Sequence, residues 1–162
     1  MDPQIVSYIT SKGAHAIIDL QNFERHYGNA ITDTNSSQAY WKTTAARFKG
    51  QQQAQPSRHR IDGIRAAGAT SQCIFVEGNP YSGAWTWVSS GTGASLASLT
   101  DPSNKIIYQM HQYLSSDGSS TNTDCVSSPI GAERVQAATQ WLKQNNKKGI
   151  LGETSGGANS QH

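Results

Sequence analysis

Two short apolar runs in this chain end on a carboxylate. Gln72-Cys73-Ile74-Phe75-Val76-Glu77 stops at Glu77 before Gly78-Asn79-Pro80, and Lys148-Gly149-Ile150-Leu151-Gly152-Glu153 stops at Glu153 before Thr154-Ser155-Gly156-Gly157. Fully buried strands of parallel sheets read as brief apolar runs, and in α/β barrels the reacting side chains sit at the strands' C-terminal ends. A carboxylate delivered in this way can serve as nucleophile or as acid/base, and glycosidic bond cleavage needs two of them across the substrate. A third run, Lys105 to Tyr113, carries His111 and Tyr113 at its far end. Trp85 and Trp87, two residues apart, would share one face of an extended segment, which suits both a stacking platform for sugar and burial in a core.

Other chemistry is less well supplied. His15, His26, His59 and His162 form no spaced ligand set of the HExxH kind, and Cys73 and Cys125 match no CxxC motif, so neither a metal nor another cofactor is expected. The two cysteines could pair once. The formal net charge is only +2, with Lys and Arg spread thinly, so no basic stripe marks a nucleic-acid partner. No run approaches the ~20 apolar residues that cross a bilayer, and Met1-Asp2-Pro3-Gln4 does not begin an export signal.

The elements that must position these groups follow a repeating order. Ile5 to Lys12 has an amphipathic helical pattern closed by Gly13, and Ala14 to Leu20 reads as a short buried strand followed by a polar loop. Ser36 and Ser37 could cap a helix over Gln38 to Phe48. The stretch 50–60 has neither apolar periodicity nor a strand and reads as a glutamine-rich linker. A helix over Ile61 to Ala67 leads to the Glu77 strand, Leu96 to Leu99 suggests a short helix, and Ile130 to Gln144 is a helix between the His111 and Glu153 strands. Strands separated by helices imply βαβ units and a parallel sheet. The expectation is a single α/β domain over residues 1–162, a partial (β/α)8 TIM-barrel-like fold, since a closed barrel typically takes ~250 residues.

Several strings make a more specific match. Ile17-Ile18-Asp19-Leu20-Gln21-Asn22-Phe23, Ile61 to Thr70, Ile74-Phe75-Val76-Glu77-Gly78-Asn79, Gly83-Ala84-Trp85-Thr86-Trp87, Met110 to Asp117 and Leu151-Gly152-Glu153 together resemble glycoside hydrolase family 5, in particular fungal endo-1,4-β-glucanases. The resemblance covers nearly the whole chain outside residues 50–60. It implies a retaining glycosidase acting on β-1,4-glucan, with Glu153 matching the nucleophile of the seventh strand. His111 and Tyr113 match active-site residues of the sixth strand, Asn22 a substrate-binding position of the third, and Trp85 and Trp87 the aromatic loop after the fifth. It also implies an extracellular, secreted setting.

The departures from the family are as specific. Relatives place a strand bearing an Asn-Glu pair between the helices ending near Phe48 and beginning near Ile61, and that Glu is the acid/base; here the glutamine-rich stretch stands in its place. Gln21 replaces the usual His before Asn22. Cys125 lacks the cysteine that relatives place beyond Gly156-Gly157, which would leave it unpaired. Glu77, at a strand end, is the first candidate for a substitute proton donor. Asp19 is expected to be structural by alternation, and Glu24 lies in the following loop. The expected function is an endo-1,4-β-glucanase-like hydrolase; the alternatives are a non-catalytic β-glucan-binding protein and an inactive cellulase fragment. Exposed sheet edges would then favour self-association.

Overall fold

The computed structural model of the chain describes residues 2–19, 25–26, 28–48, 53–54, 58–124 and 126–158. They form two compact units, Met1–Val76 with Thr100–Ile106, and Glu77–Leu99 with Ile107–His162.

The first unit opens with helix α1, Pro3–Ser11. Asp2 caps it by accepting the Gln4 amide at 2.9 Å, Pro3 occupies a position where a missing N–H costs nothing, and Gly13 takes a φ of +78° just after the end. Of its apolar stripe only Val6 is buried, against Ile18 and Phe48, while Ile5 and Tyr8 face outwards. The expected strand over 14–20 does not form among its described residues, because 14–19 finds no ladder partner and only Ile18 enters the small core. A two-residue hairpin follows instead, β1 (Arg25–His26) antiparallel to β2 (Asn29–Ala30), turning through Gly28 at φ +80°.

Helix α2, Thr34–Arg47, starts at Asp33 rather than at the expected serines. The Asp33 side chain accepts the Asn35 amide at 3.0 Å and also the Ser36 hydroxyl, which, with the adjacent backbone N–H groups, holds its carboxyl below the usual range. Trp41 and Ala45 are buried on one face of α2, and Ile61 and Ile64 on helix α3, Arg58–Ala66. The two helices approach so closely that a Cβ on Gly63 would lie 2.4 Å from the Gln38 carbonyl oxygen, a space only glycine leaves open.

The stretch 50–60 is not strandless. Strand β3, Gln53–Ala54, runs parallel to β4, Ile74–Val76, with Gln53 opposite Ile74 and Ala54 opposite Phe75. Two residues carry no periodicity to read, and the backbone hydrogen bonds offered by β4 decide the conformation. All three β4 residues are buried, as its unbroken apolar run requires.

One buried ion pair ties the end of α3 to the chain beyond β4. Arg65 Nε donates to Asp101 Oδ1 at 2.7 Å and Nη2 to Oδ2 at 2.8 Å, with both side chains almost wholly buried. Arg65 also donates to the Ala69 and Gln72 carbonyls, and Asp101 accepts the Ser103 and Lys105 amides.

In the second unit, helix α4 is Thr92–Leu96, β5 is Ile106–Tyr113, whose first residue belongs to the first unit, α5 is Ile130–Gln144 and β6 is Gly149–Ser155. β5 and β6 are parallel, joined through α5 as a βαβ unit. Period-two alternation divides β5 cleanly. Tyr108, Met110 and Gln112 are buried, and Tyr108 packs edge-on against Trp141 of α5 and against Trp87, with centroids 5.3 and 6.2 Å away. Gln109, His111 and Tyr113 share the other, partly open face. Burial pushes the Tyr108 phenol up to about 12, so it stays protonated and donates to the Leu96 carbonyl at 3.1 Å.

The Arg65–Asp101 pair generates a stability prediction. Burial alone would raise the Asp101 carboxyl, but the Arg65 hydrogen bond, the Lys105 and Ser103 amides and the Arg65 charge outweigh it and hold the group below its ordinary value. A depressed carboxyl stabilises the fold above its unfolded pKa of about 4 and loses that contribution as pH falls through the lower folded value. Asp101→Ala leaves a buried guanidinium without its counter-ion and should cost about 3–5 kcal/mol at neutral pH in urea unfolding. The gap between it and the unsubstituted chain should narrow as the pH is lowered below about 4.

Candidate active site

The site is assembled where β5 and β6 end. Their register runs Tyr108 opposite Gly149, Gln109 opposite Ile150 and Met110 opposite Leu151, then slips by one so that His111 faces Glu153 and Tyr113 faces Ser155. Gly152 is the extra residue, a β-bulge. Without the slip Glu153 would lie opposite Gln112 and share its buried face, since a one-residue shift turns every later side chain over. With it, Glu153 joins the face of Gln109, His111 and Tyr113. The bulge also needs glycine for space, because a Cβ there would meet the Gln109 side chain at 2.7 Å.

Glu153 receives two contacts on the same oxygen. The Tyr113 hydroxyl donates to Oε2 in a short hydrogen bond, and His111 Nδ1 lies 3.6 Å from the same atom. Among the described residues Oε1 has no protein partner, and the carboxyl side chain is 53% exposed, so it can meet an incoming group. The hydrogen bond to Glu153 comes first in raising the Tyr113 phenol to about 12, followed by burial and the Glu153 charge. Tyr113 therefore remains a donor across the neutral range.

The other nitrogen of the imidazole faces a second carboxylate. His111 Nε2 lies 3.9 Å from Glu77 Oε1, and Gln109 Nε2 donates to that oxygen at 2.6 Å while lying 3.5 Å from His111 Nε2. Glu77 stands one residue past β4, and its side chain is 27% exposed. The sequence-predicted Glu77, His111, Tyr113 and Glu153 are thus brought together, with one imidazole addressing both carboxylates.

The loop after Glu77 is held onto β5. Ala84 N–H donates to the His111 carbonyl at 2.8 Å and His111 N–H to the Ser82 carbonyl at 2.9 Å, while the Ser82 hydroxyl donates to the Gln109 carbonyl. Gln112 bridges the loop and the strand end, accepting the Trp85 amide at 3.0 Å and donating to the Tyr113 carbonyl at 2.7 Å. The segment 84–90 is a series of turns, so the alternation expected of an extended segment does not apply. Trp85 is 47% exposed, whereas Trp87 is 1% exposed and packed edge-on against Tyr108 and Trp141. This corrects the expectation for Trp87, whose ring faces belong to the core and are not offered to a ligand.

Asn22 and Cys125 lie outside the described residues, and with them the substrate-binding expectation for the one and the pairing of the other; Cys73 is half-buried and carries a free thiol. Among the described residues no group of three His, Cys, Asp or Glu could hold a metal ion, and no helix is long and apolar enough to cross a membrane. Sequence reasoning missed Gln109, Gln112 and Gly152. Gln109 was recoverable from its period-two spacing to His111, and a glycine inside a strand run is a known sign of a bulge. Gln112 carried no signal, because its role depends on the loop folded against it.

Comparison with known proteins agrees with this geometry. The family model for cellulase (glycosyl hydrolase family 5) matches residues 57–162. An endoglucanase of Neurospora crassa is 48% identical over 174 aligned positions, covering 97% of this chain and 44% of that protein. Endo-beta-1,4-glucanase B of Emericella nidulans is also 48% identical, with 96% and 52% covered. Among solved structures, an endo-beta-1,4-glucanase of Xanthomonas axonopodis pv. citri superposes with a TM-score of 0.88 at 29% identity over 98% of this chain and 58% of its own. Cel5A (EG2) of Hypocrea jecorina does so with 0.82 at 30% identity, over 98% and 55%. The chain spans about half the length of the curated relatives it matches. Its fold is accordingly part of a (β/α)8 barrel. With strand-end carboxylates, parallel βαβ order and a family match over most of its length, the chain belongs to the cellulases of glycosyl hydrolase family 5.

Proposed function

We propose that this chain acts on β-1,4-glucan as a retaining endo-1,4-β-glucanase, with Glu153 as the nucleophile. The observation that carries the reading is the half-exposed Glu153 carboxylate, oriented through Oε2 by Tyr113 and flanked by His111, with no protein partner for Oε1 among the described residues. In the retaining reaction Oε1 attacks the anomeric carbon, the glycosidic C–O bond breaks, and water later cleaves the glycosyl ester with return of the free carboxylate. The Tyr113 hydroxyl spends its hydrogen bond on the charged nucleophile and keeps it in one rotamer. The open face of Trp85 supplies apolar surface for a sugar ring. A polymeric glucan is met outside the cell, which suits a secreted protein. The names of relatives support the substrate class, as does a solved family 5 neighbour in complex with cellopentaose, at a TM-score of 0.84 and 27% identity.

We assign proton donation to Glu77, because residues 48–57, between α2 and α3, contain no glutamate and Glu77 is the other carboxylate beside His111. Glu77 Oε1 already accepts the Gln109 amide at 2.6 Å and its side chain is 27% exposed against 53% for Glu153, so less of it is open to a leaving oxygen. That one observation favours a second reading, glucan binding without turnover.

A substrate with an activated leaving group separates the two. General acid catalysis is worth about 10²–10⁴-fold for a poor leaving group and little for a good one. The chain should therefore release dinitrophenol from a dinitrophenyl β-cellobioside, and Glu153→Gln should abolish that release. On a soluble cellulose derivative the rate should be low, and Glu77→Gln should lower it further while sparing the activated substrate. Cellopentaose binding with no release from either substrate would leave the binding reading standing. We further propose self-association through β6, which pairs with β5 on one side and is exposed along its length, Ile150 at 45% and Leu151 at 47%. Light scattering should give twice the monomer mass, and Leu151→Lys should restore the monomer.

A further inference from the structure

Arg134 of α5 is 4% exposed, an unusual place for a permanent charge. Among the described residues no carboxylate lies within ion-pair distance of it, and its Nε has no hydrogen-bond partner. A buried guanidinium with an unsatisfied N–H is costly, so its remaining contacts bear on why it is there. All of them converge on the end of β5. Nη1 donates to the Tyr113 carbonyl at 2.9 Å and the Ser115 carbonyl at 2.6 Å, and Nη2 donates to the Ser116 carbonyl at 2.8 Å. The guanidinium carbon sits 4.1 Å from the centroid of the Trp85 ring, in cation–π contact. Position 118 closes the same corner, since a Cβ on Gly118 would lie 3.6 Å from the indole and 4.0 Å from Nη1.

We propose that Arg134 is a positioning residue that locks the C-terminal end of β5 and the Trp85 indole into one unit, and so sets the aim of the Tyr113 hydroxyl at Glu153. Past Tyr113 the chain turns through Ser115 and Ser116, and the carbonyls of this turn are the groups Arg134 gathers. The planar fork binds three carbonyls in a fixed geometry that an ammonium cannot reproduce. Because the Tyr113 carbonyl also accepts from Gln112, whose side-chain oxygen accepts the Trp85 amide, the platform and the tyrosine are coupled by two routes. One ring face of Trp85 lies against Arg134, and the residue remains 47% exposed, open to a sugar. The role of this device in turnover rests on the glucanase reading of Glu153, but the coupling itself does not.

The test reads Tyr113 directly. In protein labelled with ¹³Cζ-tyrosine, the Tyr113 signal is identified by its loss in Tyr113→Phe, and its displacement in Glu153→Gln marks the broken hydrogen bond. Arg134→Met, which keeps the aliphatic stem, should reproduce most of that displacement, and Arg134→Lys less than half of it, with the other tyrosine signals in place. Cellopentaose binding should weaken in Arg134→Met and not further in the double variant with Trp85→Ala. If Arg134→Met does not fold, Arg134→Lys decides by the same signal. In the wild-type background that turns over the activated cellobioside, Arg134→Met should lower kcat by about tenfold to a hundredfold with a smaller change in KM for the reacting end. A Tyr113 signal that stays at its wild-type position in folded Arg134→Met or Arg134→Lys overturns the proposal. If the wild-type chain shows no turnover the glucanase reading fails, and the Tyr113 signal still decides the role of Arg134.

Discussion

A one-residue slip in a parallel strand pair governs the rest of the site. Up to Met110 and Leu151 the two strands are in simple register; beyond it Gly152 is surplus, and Glu153 turns to the face that already carries Gln109, His111 and Tyr113. The arrangement around Glu153 follows from that turn: the tyrosine hydroxyl reaches one carboxylate oxygen, the imidazole stands beside it, and among the described residues the other oxygen has no protein partner. Glycine is required because the slip brings the β6 backbone against the Gln109 side chain, and Gln109 is itself engaged with Glu77. A bulge can re-aim a side chain, and here it re-aims the proposed nucleophile.

The strand that carries His111 and Tyr113 is anchored from its opposite face. Tyr108, Trp87 and Trp141 pack edge-to-face in a buried triad, so β5, the turns after Glu77 and α5 share one core. Trp141 lies so close to Gly93 that a Cβ there would meet its indole nitrogen at 2.8 Å, which draws α4 into the same packing. Such aromatic pairs contribute about 0.5–1.5 kcal/mol each beyond their burial. With α5 fixed by Trp141, Arg134, about two turns earlier on the same helix, reaches the end of β5. Packing on one side of the strand thereby holds the polar groups on the other.

The two strand-end carboxylates have different surroundings. Glu153 meets a hydroxyl and an imidazole on one oxygen and is half open; Glu77 is more enclosed and accepts a primary amide. The more open carboxylate suits the proposed attacking group, and the enclosed, hydrogen-bonded one has less freedom to reach a leaving oxygen. The separation of the roles by leaving-group chemistry follows from this asymmetry.

Much of this was legible before any coordinates. The apolar run before Glu77, the helix over Ile130–Gln144 and the His111 and Tyr113 pair at the end of β5 come from local periodicity, which backbone geometry imposes on any strand or helix, whereas the run before Glu153, expected as a buried strand ending there, is exposed along its length and continues to Ser155. The family strings pointed the same way, and the match over residues 57–162 bears them out. Three features were decided only by tertiary structure. The face of Glu153 depends on pairing with a strand some forty residues away, and the turns at 84–90 separate Trp85 and Trp87, which an extended segment would have placed on one face. Nothing in the sequence marks Arg134, whose contacts exist only because the end of β5 is folded against α5. The sequence by itself determined which residues stand at strand ends, because that is local; which way they point was decided by register and packing between segments distant in the chain.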